Sequence, residues 1–439
     1  MSEFDSERLP KLRTLLVGLA VLCLIGCEGP TLTPPIAILP TATPTAPPPV
    51  PTPTATPQPT PMITTLELWL PEELDPYAGE GGSTVLAEQL SDFSRVYPGL
   101  QVDVVVKRAH GRGGLIDFMR TARDAAPSVL PDLVVLDASD LGTVAGSGLI
   151  QPLDGFVAPS ADEDRFPFAA TMGKVEGETV GLVLGADMQH VAYRPAALES
   201  PPLTWTDVIS APASFLFPAG GYDGRVNDAS LLQYLGAGGK LTDAEGRPTL
   251  DEEVLVDVLD FYSRCVTNTV IAPTQVLTAT HVDQVWEGFK EGEGGMTLVR
   301  ASRYWLEADE TMAPALVPTK DGQHIGIARG WALAVVTDDP DRQASAIQLA
   351  EWLTAPARNA AWTQAAGYLP GTRSALRLWR VTEEERTVLR DLLEAAMPPP
   401  RPVVLEAVGL PMQQAVSNVL RGRASPDEAA ATALRDLQE

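Results

Sequence analysis

The sequence predicts an α/β protein whose body forms two lobes, each a mainly parallel sheet flanked by helices. Three observations carry this prediction. From residue 63 onward, short segments rich in β-formers alternate with amphipathic helical ones, the order that βαβ units produce. The stretch "PDLVVLDA" (131–138) is apolar at consecutive positions, as a strand covered on both faces must be. The body spans roughly 375 of the 439 residues, more than a single hydrophobic core usually organises.

Taken in order, the chain begins with Lys11 and Arg13, followed by an apolar run from Leu15 to Ile25. That run is too short for the roughly 20 residues that cross a bilayer and reads as the core of a signal peptide over residues 1–26. It closes with Leu24-Ile25-Gly26-Cys27, which resembles the lipobox of bacterial lipoproteins. The resemblance implies cleavage before Cys27, lipid on its thiol, and an extracytoplasmic protein anchored to the cell membrane. A plain signal peptide with an incidental cysteine is the alternative. Residues 27–62 then form a tether, in which 29–62 are nearly all Pro, Thr and Ala without a single charge. Such a chain cannot bury a core and favours polyproline II, about 3 Å per residue.

Within the body, "ITTLELWL" (63–70) reads as the first strand and "STVLAEQLSDFSRVYPGL" (83–100) as a helix. Ser83 is its expected cap, and Val85, Leu86, Leu90, Phe93 and Val96 recur at helical spacing before the Pro-Gly stop. A strand "QVDVVVKR", a helix "GLIDFMRTARDAAPSVL" and the strand "PDLVVLDA" follow. In parallel sheets of this kind ligands sit beyond the carboxyl ends of the strands.

The net charge of −25 excludes a nucleic-acid binder, which needs basic surface. Of three cysteines, Cys23 lies in the leader and Cys27 at the lipobox, so Cys265 stands alone. It reads as a small buried apolar residue rather than a nucleophile, and no disulfide framework exists. No G-x-S-x-G, P-loop or H-E-x-x-H is present, and His110, His190, His281 and His324 lack ligand spacing. No cofactor and no metal is therefore expected. "HGRGG" (110–114) reads as an exposed turn, with an anion nest as the alternative.

Several segments, in order, are similar to the extracellular solute-binding proteins of ABC transporters, in the group that includes the maltose-binding protein. They are "FSRVYPGLQVDVV", "LPDLVVLDASDLGTVAGSGLIQPLDGFV", "GETVGLVLGADMQHVAYRPAAL", "PPLTWTDVI", "LGAGGKLTDAEGRPTLD", "FKEGEGGMTLVRASRYW" and "IGIARGWALAVVTDDPDRQASAIQLAEWLTAPARNAAWTQAAGYLPGTRSAL". The resemblance implies a two-lobe periplasmic-binding-protein fold with a ligand cleft at the hinge, closing on its ligand. It places lobe 1 at 63–183 plus 316–352 and lobe 2 at 184–315 plus 353–439. Hinges are expected near Leu182-Val183-Leu184, Ala315-Leu316-Val317 and Leu353-Thr354. It also implies a small-molecule ligand, a sugar above all, and ABC permease subunits as partners of a monomeric protein that performs no chemistry. A lipoprotein of the same fold reporting to a membrane sensor is the alternative.

A sugar offers hydroxyls to carboxylates and arginines, and C–H faces to aromatic rings. On the resemblance, Asp137 and Asp140 form the acidic loop after a strand, with capping of the helix at Leu141 as the alternative. Asp187 matches the acidic position of the crossover. Trp331 in "IARGWALAVV" is the expected stacking residue, with the core of its own strand as the alternative. Tyr304 and Trp305 follow the "GGMTLV" strand, and Arg300 and Arg303 stand where the family has small residues, which suggests a polar or acidic ligand. Tyr368 and Arg373 are expected at the rim or in interlobe packing, and Glu72 and Glu73 on a first loop that contacts ligand or is merely solvated. Asp137, Asp140 and Asp187 are also the only candidates for a glycosidase pair, which nothing else supports.

Overall fold

A computed structural model describes residues 64–79, 81–156 and 161–438. The signal peptide, Cys27 and the tether expected at 1–62 lie outside the described residues. Thirteen strands occur among the described residues. In chain order they are β1 (Thr64–Pro71), β2 (Leu100–Lys107), β3 (Leu133–Asp137), β4 (Lys174–Val175), β5 (Glu178–Thr179), β6 (Leu182–Asp187) and β7 (Gln189–Tyr193). Then come β8 (Phe215–Leu216), β9 (Met296–Arg300), β10 (Ala313–Ala315), β11 (Gly326–Ile327), β12 (Arg329–Val335) and β13 (Ala396–Met397).

The first sheet has the order β2-β1-β3-β12-β6 and the second β10-β7-β9-β8. In the first, β1 pairs in parallel with β2 and β3, whereas β12 lies antiparallel between β3 and β6. In the second, β7 is antiparallel to β10 and β9, and only β8 and β9 are parallel. Each sheet is thus mainly parallel, as expected, with one reversed strand, β12 in the first and β7 in the second. The reversals come from the crossing of the chain: β6 runs through Met188 straight into β7 of the second sheet, and β12 re-enters the first sheet from the other side.

Local sequence explains the elements that matter. β3, the consecutive apolar strand, is central in its sheet, and Leu133, Val134, Val135 and Leu136 are all buried. The first helix runs Gly81–Val96 and buries Leu86, Leu90 and Phe93 at helical spacing. Its start precedes the expected cap Ser83, and Val96 ends exposed on the last turn. Trp205 packs the start of a short helix whose cap Thr204 forms a reciprocal capping box with Asp207.

The apolar clusters show which core each segment joins. Residues 356–396, expected in the second lobe, supply Trp362, Leu369, Trp379, Leu392 and Leu393 to the clusters around the first sheet. Val317, Ile325 and Ile327, expected with the first lobe, pack instead with the second core, as do Val404, Met412 and Val416 of the last long helix. The crossings accordingly fall at Met188, at Ala328 between β11 and β12, and after β13, rather than at Leu182-Val183-Leu184, Ala315-Leu316-Val317 and Leu353-Thr354.

Candidate functional site

The carboxyl ends of β3 and β6 and the first residues of the antiparallel β12 meet at one edge of the first sheet. Trp331 sits opposite Asp137 on one side and Gly185 on the other, and Arg329 sits opposite Asp187. A bulge in the pairing with β6 falls between Trp331 and Ala332, a device that re-aims side chains. Gly330 makes this approach possible: a Cβ there would stand 2.4 Å from the carbonyl oxygen of Gly185.

Beyond this edge, between the two sheets, lies a cavity of about 170 Å³. It is lined by Asp137, Asp187, Met188, Gln189, Asp228, Arg300, Ile327, Arg329, Gly330, Trp331 and Tyr368. First-sheet residues form one wall, and Asp228 and Arg300 of the second core form the other. Trp331 is half-buried against the first core, and Tyr368 packs against the same core. Tyr368 in turn stacks on Trp362 at 5.6 Å, which fixes a small aromatic platform on the cavity wall.

The charged groups around the cavity are held by partners. Asp187 accepts from the backbone N–H of Ser302 at 3.0 Å and from its hydroxyl at 2.5 Å; burial nevertheless holds its carboxyl above the usual range. Asp137 accepts from Ser139 N–H at 2.9 Å and thereby caps the turn after β3. Arg300 donates through Nε and Nη2 to Asp283, at 3.0 and 2.7 Å, and stands 3.9 Å from Asp187. Arg329 holds Asp228 in the same forked way, at 2.9 and 2.8 Å. Gln189 Oε1 is buried without a partner.

Five expected site residues therefore meet at one cavity: Asp137, Asp187, Arg300, Trp331 and Tyr368. The others do not line it. Asp140 lies behind Asp137, 3.4 Å from His110, and burial together with Asp137 raises its carboxyl above the ordinary range. It occupies the cap position of the helix Leu141–Gly146 without a side-chain cap bond. Tyr304 is a core residue, edge-on to His190 at 4.9 Å. Trp305 bridges the two cores against Trp379 at 5.8 Å, its indole N–H unpartnered. Arg303 points along its helix into a carboxylate cluster of Glu307, Glu287 and Asp283. Arg373 binds Glu394 at 2.6 Å and the carbonyl of Arg165, which ties two surface elements together. Glu72 is exposed on the turn after β1, and Glu73 faces a separate hollow beside Tyr368.

Gln189, Asp228 and Arg329 were not anticipated. Alternation was the available signal, since Arg329 shares a strand face with Trp331 two residues on. The "HGRGG" turn places His110 within 3.8 Å of Asp137 as well as Asp140. Cys265 is buried, its thiol pushed up to about 12 by burial. Among the described residues no three His, Cys, Asp or Glu side chains come together to hold a metal ion, and no helix is long and apolar enough to cross a membrane.

The cavity lies between two sheets that the chain joins by three crossings, and residues 99–385 match the model of the bacterial extracellular solute-binding proteins. This chain belongs to that family. Solved structures agree in fold. Maltose-bound MalE3 of T. maritima is 19% identical, with a TM-score of 0.61 over 85% of this chain and 99% of its own. The sugar-binding protein MalE of Xanthomonas citri is 21% identical, with a TM-score of 0.66 over 85% and 96%. An ABC transporter solute-binding protein of Thermotoga lettingae bound with α-D-tagatose is 19% identical, with a TM-score of 0.63 over 85% and 98%. At these identities the likeness is one of fold. Family members are solute-binding proteins, and the family description places them outside the cell.

Proposed function

We propose that this solute-binding protein is a membrane-tethered lipoprotein that captures a carbohydrate or related polyol between its lobes and delivers it to an ABC permease. The cavity carries the reading. It offers an aromatic platform at Trp331 and Tyr368, an unpartnered amide oxygen at Gln189, and carboxylates and guanidinium groups already fixed by neighbours. Pre-fixed polar groups around an aromatic face suit a polyhydroxylated ring, because they bind hydroxyls without reorganising. Fold relatives bound to maltose and to α-D-tagatose support the same ligand class. The lipobox at Cys27 and the uncharged Pro/Thr stretch after it support the tether. No catalytic step belongs to this reading, since Asp137 is engaged by Ser139, and Asp187 by Ser302 through both oxygens.

The test is a thermal-shift screen against neutral mono- and oligosaccharides, sugar acids, sugar phosphates and amino acids. A ligand at about 100 times its dissociation constant adds roughly 2.7 kcal/mol. Stabilisation by neutral sugars is expected; stabilisation by amino acids alone would overturn the carbohydrate reading. For the tether, metabolic acyl labelling is expected to disappear in Cys27→Ala, and label that persists would sink the lipoprotein assignment.

A further inference from the structure

The central cavity has a neighbour. A second hollow of about 390 Å³ lies on the side of the second lobe, and Gln189, Asp228, Arg300 and Arg329 line both spaces. These four side chains are thus the partition between them. We propose that the Arg329–Asp228 ion pair in this partition sets the length of the carbohydrate that the cleft accepts, holding it to one ring. This rests on the carbohydrate reading above.

Size is the first argument. A cavity of roughly 150 Å³ holds a benzene molecule, and a sugar ring with its hydroxyls is bulkier, so the central space of about 170 Å³ has room for one sugar ring at most. The second hollow has room for further rings and a surface for them. Tyr222 there is 56% exposed and packs on His281 at 4.7 Å, presenting an aromatic face of the kind on which a sugar stacks.

Rigidity is the second. The guanidinium of Arg329 meets both oxygens of Asp228 in two parallel bonds, a geometry that a planar fork holds better than a single contact does. Both ends are anchored. Arg329 begins β12 opposite Asp187. Asp228 begins a nine-residue helix whose cap Asn227 accepts from Ala229 N–H at 3.0 Å and donates to the carbonyls of Pro218 and Gly220. The pair spans the seam between the first sheet and the second core, so a ligand in the central space ends against it. Arg300, which lines both spaces, is fixed in the same forked manner by Asp283.

The experiment titrates the full chain and its Arg329→Ala/Asp228→Ala variant with glucose, maltose and maltotriose, and with the best monosaccharide of the screen. Arg329→Lys, which keeps a positive charge beside Asp228 but loses the fork, guards against a variant that fails to fold. The wild type is expected to prefer the single ring, and the double variant to shift the ratio toward the longer sugars by about tenfold or more, the equivalent of one net hydrogen bond gained by the added ring. Arg329→Lys should shift it the same way by less. Equal weakening for every length would overturn the proposal, because it would make the pair a mere closure contact. So would a wild type that already binds maltotriose as tightly as a single ring. Binding of sugars with unchanged length preference in the variants refutes this inference alone; no carbohydrate binding by any of these proteins refutes the carbohydrate reading and this inference with it.

Discussion

Replacing Gly330 by alanine tests the packing that aims the site. The new Cβ would meet the Gly185 carbonyl oxygen at 2.4 Å, Ala186 Cα at 2.9 Å and the Gly185 carbonyl carbon at 3.2 Å. All three are backbone atoms of β6, so no side-chain rotation relieves the clash and β12 must move from its neighbour. Overpacking of this kind costs about 1–3 kcal/mol, while a glycine-to-alanine change returns some 0.4–1 kcal/mol by restricting the unfolded chain. The expected net loss is about 1–2 kcal/mol, read as a lower midpoint in urea unfolding at unchanged slope. Gly142 supplies the control. It lies in the helix Leu141–Gly146 with nothing within 4 Å of an added Cβ, so Gly142→Ala should stabilise by a few tenths to about 1 kcal/mol. Because Gly330 neighbours Trp331 and Arg329, its alanine variant should also weaken ligand binding, whereas Gly142→Ala should not. Stabilisation by Gly330→Ala comparable to that of the control would refute the close approach of β12 and β6.

Further outcomes follow from buried polar groups. His190 donates through Nδ1 to the Val191 carbonyl, leaves Nε2 unpartnered, and has its pKa lowered to about 4 by burial. The unfolded chain takes up this proton near pH 6.5 and the folded one only near 4, so stability should fall as pH drops through that window, by up to about 3 kcal/mol; His190→Leu should flatten the loss in pH-dependent urea melts. Asp132, nearly buried, accepts from Glu67 N–H at 2.8 Å and Arg342 Nε at 2.6 Å. Asp132→Ala should cost about 2–3 kcal/mol and leave ligand affinity unchanged, since it precedes β3 while the cavity lies after it. Cys265 should resist a thiol-reactive dye at pH 8 in the folded chain begun after Cys27, and react once denatured.

Much of this architecture was legible because its signal is local. The apolar run of β3 marks a strand covered on both faces, and Leu86, Leu90 and Phe93 announce a helix by spacing alone. Asp137 was legible as the end of an apolar strand, while Asp187 and Trp331 were singled out through the resemblance of their segments to the family. What could not be read depends on partners distant in sequence. Arg300 and Arg303 looked alike, yet the wall of the cavity takes Arg300 and the carboxylates of Glu287 and Glu307 take Arg303. Arg329 was not singled out, because only the fold brings Asp228, 101 residues away, to its guanidinium. Trp362 and Trp379 join the cores around the first sheet through partners distant in sequence, so the return of 356–396 to that sheet went unseen.

The central claim is that a sugar binds in the interlobe cavity against Trp331. Its most direct test is a calorimetric titration of the best neutral sugar into wild type, Trp331→Ala and Trp352→Phe. Trp352 packs on Phe93 and Tyr97 of the first helix region and is absent from the cavity wall. The account predicts at least about tenfold weaker binding for Trp331→Ala, from lost stacking and burial, and wild-type affinity for Trp352→Phe. Unchanged affinity in a folded Trp331→Ala protein would contradict it.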